Sequence, residues 1–201
     1  MSDRQGTARG TAARLGLTVT EAQWQALDAF WSLLLLWNAR INLTGARSIE
    51  ELVGEHFPDS LAMARLVPPG ARVLDVGSGG GLPAIPFGLV RPDVRLTLVE
   101  PRAKRGAFLR TAVRETGLVG AEVLVERVEG IAPRPADLAS SRATFAPGEW
   151  LERARGLAPR ALVFCVRRGD AEVPPGLSLE ADVEYETAGG HPRWAAVYRS
   201  T

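Results

Sequence analysis

The chain has 201 residues, 46% of them hydrophobic and 23% charged, with a formal net charge of +1. That length and balance fit one globular domain with a sizeable core. No apolar run approaches the ~20 residues a membrane helix needs, and the near-neutral charge carries no global basic signal for nucleic acid. Cys165 is the only cysteine, so no internal disulfide is possible, which fits a reducing, cytoplasmic setting. No basic start followed by an apolar segment marks a signal peptide. Lys104 is the only lysine among the basic residues; the rest are arginine, so an arginine count is weak evidence for RNA binding.

Residues 1–17 are polar and small, without clear periodicity, and their first part is expected to fray. A capping box, Thr20-Glu21-Ala22-Gln23, then opens a helix. Trp24, Leu27, Phe30, Trp31, Leu34 and Leu35 recur along it at helical spacing as far as about Asn38, as a core-facing stripe. Ser48-Ile49-Glu50-Glu51 is a second capping box, for a helix that reaches about His56 and breaks at Pro58. Residues 59–66 form another helical stretch, stopped by Pro68-Pro69-Gly70. These elements, over about 18–70, make an amino-terminal helical cap on a single domain of residues 1–201. The sheet occupies about 71–201.

From Arg72 onward strands and helices alternate, which calls for a parallel sheet. Strands are expected at 72–76, 94–100, 122–126, about 137–141 and 160–167, with helices at about 83–90, 101–116 and 147–155. Pro101 suits a helix's first turn, and Gly117 its end. The last two strands, 179–187 and 193–198, flank a loop containing Gly189-Gly190 and read as an antiparallel hairpin. The expected fold is therefore α/β: a doubly wound, seven-stranded sheet with a reversed last strand.

The stretch around which the chain is organised follows the first of these strands. Residues 77–81 contain four glycines, spaced Asp75-x-Gly77-x-Gly79-x-Gly81. A strand that turns through such a loop into a helix is the nucleotide-type cofactor site of an open α/β sheet. The dinucleotide form G-x-G-x-x-G would need a glycine where Leu82 stands. Glu100 ends the second strand, where a carboxylate accepts hydrogen bonds from ribose hydroxyls in such sites. Val128-Glu129 follows the third strand, the place of residues flanking an adenine. His56, one of two histidines, reads from local pattern alone as capping the broken helix. His191 is far off in sequence and no ligand spacing appears, so no metal is expected.

The glycine loop resembles motif I of the class I S-adenosylmethionine-dependent methyltransferases, which are Rossmann-like. In that resemblance the acid, Asp75, orders the loop, and the glycines make room for the methionine part of the cofactor. A longer set of residues is more specific. Asn42-Leu43-Thr44, His56-Phe57-Pro58-Asp59-Ser60-Leu61, and Leu74 to Pro83 continuing as x-Ile85-Pro86 resemble the small-subunit ribosomal RNA methyltransferase G family, also called glucose-inhibited division protein B. Glu100 with Lys104-Arg105 and Phe108-Leu109, Arg127-Val128-Glu129 and Ser141-Arg142-Ala143 extend the likeness over roughly residues 38–169. Ala84 stands where the family has glycine, and Arg168-Gly169 where it has Lys-Gly.

The resemblance implies S-adenosylmethionine-dependent methylation of guanine N7 in 16S ribosomal RNA, on naked RNA or a small-subunit particle, by a cytoplasmic enzyme expected to be a monomer. It implies cofactor contacts from Asp75, Gly77, Gly79, Leu82, Glu100, Val128, Glu129 and Arg142. Arg127, Arg142 and His56 would lie at the catalytic pocket. Arg102, Lys104, Arg105, Arg110 and Arg114, with Arg127 and the Arg167–Arg168 pair, would offer a basic face to RNA. The alternatives are a diverged methyltransferase acting on another RNA or a small molecule, and a catalytically silent RNA-binding assembly module. An intact motif I and Glu100 weigh against the silent module.

Overall fold

The computed structural model of the protein describes residues 3–131 and 134–201. Four helices precede the sheet: α1 (Asp3–Arg14), α2 (Glu21–Ile41), the single turn α3 (Ile49–Glu51) and α4 (Phe57–Leu66). Strands β1 (Arg72–Val76), β2 (Arg95–Val99), β3 (Ala121–Leu124), β4 (Leu138–Ser140), β5 (Arg160–Cys165), β6 (Leu177–Glu186) and β7 (Pro192–Ser200) form one sheet in the order β3-β2-β1-β4-β5-β7-β6. Helices α5 (Ala84–Val90), α6 (Ala103–Glu115) and α7 (Pro147–Ala154) connect them.

The first five strands pair in parallel. The reversed last strand is present, but it is not at the edge. β7 runs antiparallel to both neighbours, between β5 and β6. A hairpin partner could end the sheet, yet β7 is the more apolar of the two, with Trp194 to Tyr198 all buried. It takes the covered position and leaves the acidic β6 outside. Alternate residues of each strand serve two cores. Val73, Leu96, Leu98 and Leu138 pack under the helices of the amino-terminal half, α5 and α6. Leu74, Val76, Val99 and Ala139 face Trp150, Leu151 and Ala154 of α7.

Several local expectations are corrected. Helix α1 occupies residues expected to be aperiodic; Met1 and Ser2 lie outside the described residues. Its buried residues, Ala8, Thr11 and Ala12, are small and not strongly apolar, with Leu15 just past its end, which gives little hydropathy contrast. Arg9 fastens it to α2 through an ion pair with Glu21 at 2.6 Å and a stack over Trp24. The α2 capping box forms as read, but α2 continues to Ile41 and ends at Asn42 in the left-handed region. Pro58 breaks nothing: residues 52–56 form a π turn that runs straight into α4, with Pro58 in its first turn, where no N–H is owed. Pro101 precedes the N-cap Arg102 and lies outside the first turn of α6.

Candidate active site

The strand order reverses between β1 and β4, and open α/β sheets bind ligands at such a point. Here the glycine loop leaves β1, and the 141–145 segment leaves β4. The loop is hung on the end of β2: the amides of Gly77 and Ser78 both donate to the Val99 carbonyl, at 2.8 and 3.0 Å. The Gly79 amide donates to Glu100 Oε2 at 3.0 Å, and the Arg102 amide to Oε1 at 2.9 Å. Glu100 is buried, so its carboxylate orders this loop directly and keeps lone pairs for a further donor.

Asp75 contributes differently. Its register partner on β4 is Ser140, whose hydroxyl donates to the Asp75 carboxylate at 2.8 Å. Burial pushes the Asp75 carboxyl up to about 6, against the opposing pull of the Ser78 and Ser140 hydroxyls. The acid expected to order the loop thus braces the β1–β4 seam, and Glu100 holds the loop's amide.

The glycines differ in what lies beside them. A Cβ on Gly80 would come 2.9 Å from the Leu43 carbonyl, and one on Gly81 2.6 Å from Ile85 Cδ1. The Asn42-Leu43-Thr44 segment therefore covers the loop. It is folded there by Asn38 Oδ1, which accepts from the Leu43 and Thr44 amides at 2.6 and 2.9 Å. At Gly77 the room is taken by Thr144, 2.3 Å from such a Cβ. Gly79 is the exception. Its φ is +55°, and a Cβ would meet nothing closer than Arg105 Nη1 at 3.6 Å. Leu82 is partly buried beyond the loop.

Arg142 and His56 meet. Arg142 Nη2 donates to His56 Nδ1 at 3.0 Å, and Arg142 Nε is paired with buried Asp59. Two positions of the guanidinium are thereby fixed, Nη2 by a hydrogen bond and Nε by an ion pair, and no hydrogen bond of Nη1 occurs among the described residues. His56 makes no cap bond to the helix, which corrects its reading as a capping residue. Burial, and then the Arg142 charge, hold its pKa below the ordinary value, so its ring is a neutral acceptor. The π turn matters to this geometry: His56 closes it, and Asp59, three residues on, falls on the same helix face. Tyr185 completes the group by donating to Asp59 at 2.7 Å. Sequence pattern did not single it out, and neither did it mark Ser140; each acts across the fold on a residue distant in sequence, whereas Asn38, also unmarked, acts locally on Leu43 and Thr44.

Val128 and Glu129 lie in a 3₁₀ turn. With Phe145, Trp150, Arg153 and Leu157 they line a cavity of about 150 Å³. Phe145 stacks on Trp150, and Arg153 lies over Phe145 while pairing with Glu129 at 3.5 Å. Arg127 is exposed and contacts neither His56 nor Arg142 through a hydrogen bond. On the basic face, Arg102, Lys104 and Arg110 are exposed; Arg105 donates to the Asn42 carbonyl and Arg114 pairs with Glu115. Arg168 is spoken for by Asp182 and, at 3.8 Å, Glu184. No cluster of metal-binding side chains, and no helix long and apolar enough to cross a membrane, occurs among the described residues.

A family described as rRNA small subunit methyltransferase G matches residues 23–171. The ribosomal RNA small subunit methyltransferase G of Chromobacterium violaceum is 40% identical over 146 residues, which is 72% of this chain and 70% of that one. The protein of the same name from Laribacter hongkongensis is 37% identical over 184 residues, 88% of each chain. Among solved structures, M. jannaschii TYW2 in complex with AdoMet superposes with a TM-score of 0.56 at 13% identity, covering 81% of this chain and 80% of that one. At that identity the likeness concerns the fold.

Proposed function

Because this chain belongs to the rRNA small subunit methyltransferase G family, we propose that it transfers the methyl group of S-adenosylmethionine to guanine N7 in 16S ribosomal RNA, in the cytoplasm. The observation that carries the reading is the glycine loop tied to Glu100 at the switch point of a class I methyltransferase sheet, beside the post-β4 segment that carries Arg142 and whose Thr144 reaches Gly77.

The residues present fit the cofactor. Gly79 leaves open flank beside a left-handed backbone, Glu100 keeps acceptor capacity for ribose hydroxyls, and the 150 Å³ cavity beside Val128 and Glu129 has the flat aromatic wall an adenine would use. Gly77, Gly79 and Leu82 would hold the methionine end, with Asp75 buried behind them, Glu100 the ribose, and Val128 and Glu129 the base, with Arg142 at the reacting end.

S-adenosylmethionine supplies an electrophilic methyl group on a sulfonium. Guanine N7 in the major-groove edge is an acceptor with a lone pair and no proton, so its methylation asks for no general base. The work left to the chain is orientation and electrostatics. Arg142 suits that work because its donor fork is planar and two of its positions are already fixed. His56, neutral and engaged through Nδ1, supports Arg142 and takes no proton from the guanine. Arg127, exposed after β3, and the exposed cations Arg102, Lys104 and Arg110 would meet RNA phosphates. Arg168 would first have to leave Asp182.

The test is methyl incorporation from labelled S-adenosylmethionine into 16S RNA, either naked or in small-subunit particles. The wild-type protein should label the RNA and Arg142→Ala should label it weakly. Label that enters only protein or a metabolite would favour a diverged methyltransferase. No incorporation by wild type, with cofactor bound, would favour the silent module.

A further inference from the structure

Arg142 is held by Asp59, and Asp59 is itself held from the far end of the chain. The Tyr185 hydroxyl on β6 donates to Asp59 Oδ1, while Oδ2 takes Arg142 Nε. Each carboxylate oxygen thus has its own partner, a hydroxyl donor on one and a guanidinium charge on the other, which holds the carboxylate from both sides. The hold matters because a guanidinium aligns with the carboxylate it meets. Tyr185 lies outside residues 23–171, the span that the family model matches.

A second bond ties the same hairpin to the same helical run. The Ala188 amide, in the β6–β7 loop, donates to the Gly54 carbonyl at 2.9 Å, inside the π turn that ends at His56. The hairpin therefore braces both partners of Arg142: Asp59 through a side chain and His56 through the backbone of its turn. π turns are frequent at functional sites, and here one is pinned from outside. Burial, and then the Asp59 charge, raise the Tyr185 pKa, so the hydroxyl remains a donor at any working pH. A tyrosine buried only for packing would be satisfied by any acceptor; this one engages the carboxylate that orients the site's arginine.

We infer that Tyr185 is a positioning residue: through Asp59 it holds the Arg142 guanidinium in the orientation that methyl transfer uses. The inference rests on the proposed role of Arg142 at the reacting end of the site.

Tyr185→Phe keeps the ring and removes only the O–H. Under single-turnover conditions with saturating cofactor and 16S RNA, its rate should fall about tenfold, with the KM for RNA unchanged. In an Arg142→Ala background the same change should have no further effect, because the group it orients is gone. Equal losses in both backgrounds, or a wild-type rate for Tyr185→Phe, would overturn the inference while leaving the role of Arg142 intact. A wild-type rate for Arg142→Ala would instead remove that role, and the inference with it. Asp59→Asn keeps shape and loses charge. It should reproduce the rate loss and erase the further effect of Tyr185→Phe, and a wild-type rate there would also overturn the inference. As a readout free of activity, Arg142 Nε–H should exchange slowly with solvent in wild type and about tenfold faster in Tyr185→Phe; equal exchange would show that the hydroxyl does not order the arginine.

Discussion

Gly79→Ala separates the demands of the fold from those of the cofactor. At Gly79 the backbone is left-handed, φ +55°, and the space a methyl would enter holds only the tip of Arg105 at 3.6 Å and the Gly77 carbonyl at 3.7 Å. Alanine there costs the left-handed penalty of ~1–2 kcal/mol and no clash. At about 2–4 °C per kcal/mol for a chain of this size, the melting temperature should drop by only a few degrees. Gly81→Ala is the control. It has a similar φ of +76°, but its Cβ would press on Ile85 Cδ1 at 2.6 Å and Cγ1 at 3.0 Å, inside the core. Overpacking adds ~1–3 kcal/mol there, so Gly81→Ala should be the less stable of the two. Cofactor affinity, read by calorimetry at a temperature where both variants are folded, should rank the other way. Gly79→Ala should lose at least about tenfold, ~1.4 kcal/mol, because its methyl stands on the open flank of the loop. Wild-type cofactor affinity in Gly79→Ala, or greater destabilisation of Gly79→Ala than of Gly81→Ala, would refute the reasoning.

Glu100→Gln leaves one oxygen for two backbone amides, so folding stability should fall by ~1–3 kcal/mol in urea titrations and cofactor affinity should fall with it; no change in either would contradict the assignment. The Asp75 carboxyl, raised from 3.8 to about 6 in the folded chain, contributes stability that is fully present below pH 4 and is lost as pH rises through about 6. About two units correspond to ~3 kcal/mol. Wild-type stability should therefore decline relative to Asp75→Asn between pH 4 and 7, and parallel profiles for the two would refute this. His56, with its pKa lowered from 6.5, stabilises its contact with Arg142 above that value and loses it as pH falls through the lower, folded one. Single-turnover rates should be flat from about pH 7 to 9, with His56→Asn retaining much of the rate; a tenfold rise per pH unit that vanishes in His56→Asn would show a histidine base.

The sheet was legible because short strand-like segments alternate with helical ones and its loops are punctuated by Gly and Pro. The glycine loop and Glu100 were legible for a related reason, since both lie within one βαβ unit and their spacing is a local property. What sequence reading missed is long-range or low in contrast. The α1 stripe of small residues has almost no amphipathic signal, and Pro58 reads as a breaker unless a π turn precedes it. His56 and Asp59 were visible as a motif, yet their common object, Arg142, is 86 residues from His56, and Tyr185 is 126 residues from Asp59. No periodicity connects such positions. That Glu100 and not Asp75 holds the loop amide was hidden for the same reason: it depends on which strand end faces which loop, and so on strand order.

The measurement that bears most directly on the account is the identity of the methylated nucleoside. 16S RNA from a strain lacking this protein, treated with the purified protein and S-adenosylmethionine, should yield 7-methylguanosine on digestion and mass spectrometry. The RNA chain should also become cleavable at one guanine after borohydride reduction and aniline treatment. A different methylated nucleoside, or a methyl group on a ribose or an exocyclic amine, would contradict the base-free transfer to N7 on which the reading of Arg142, His56 and Tyr185 depends.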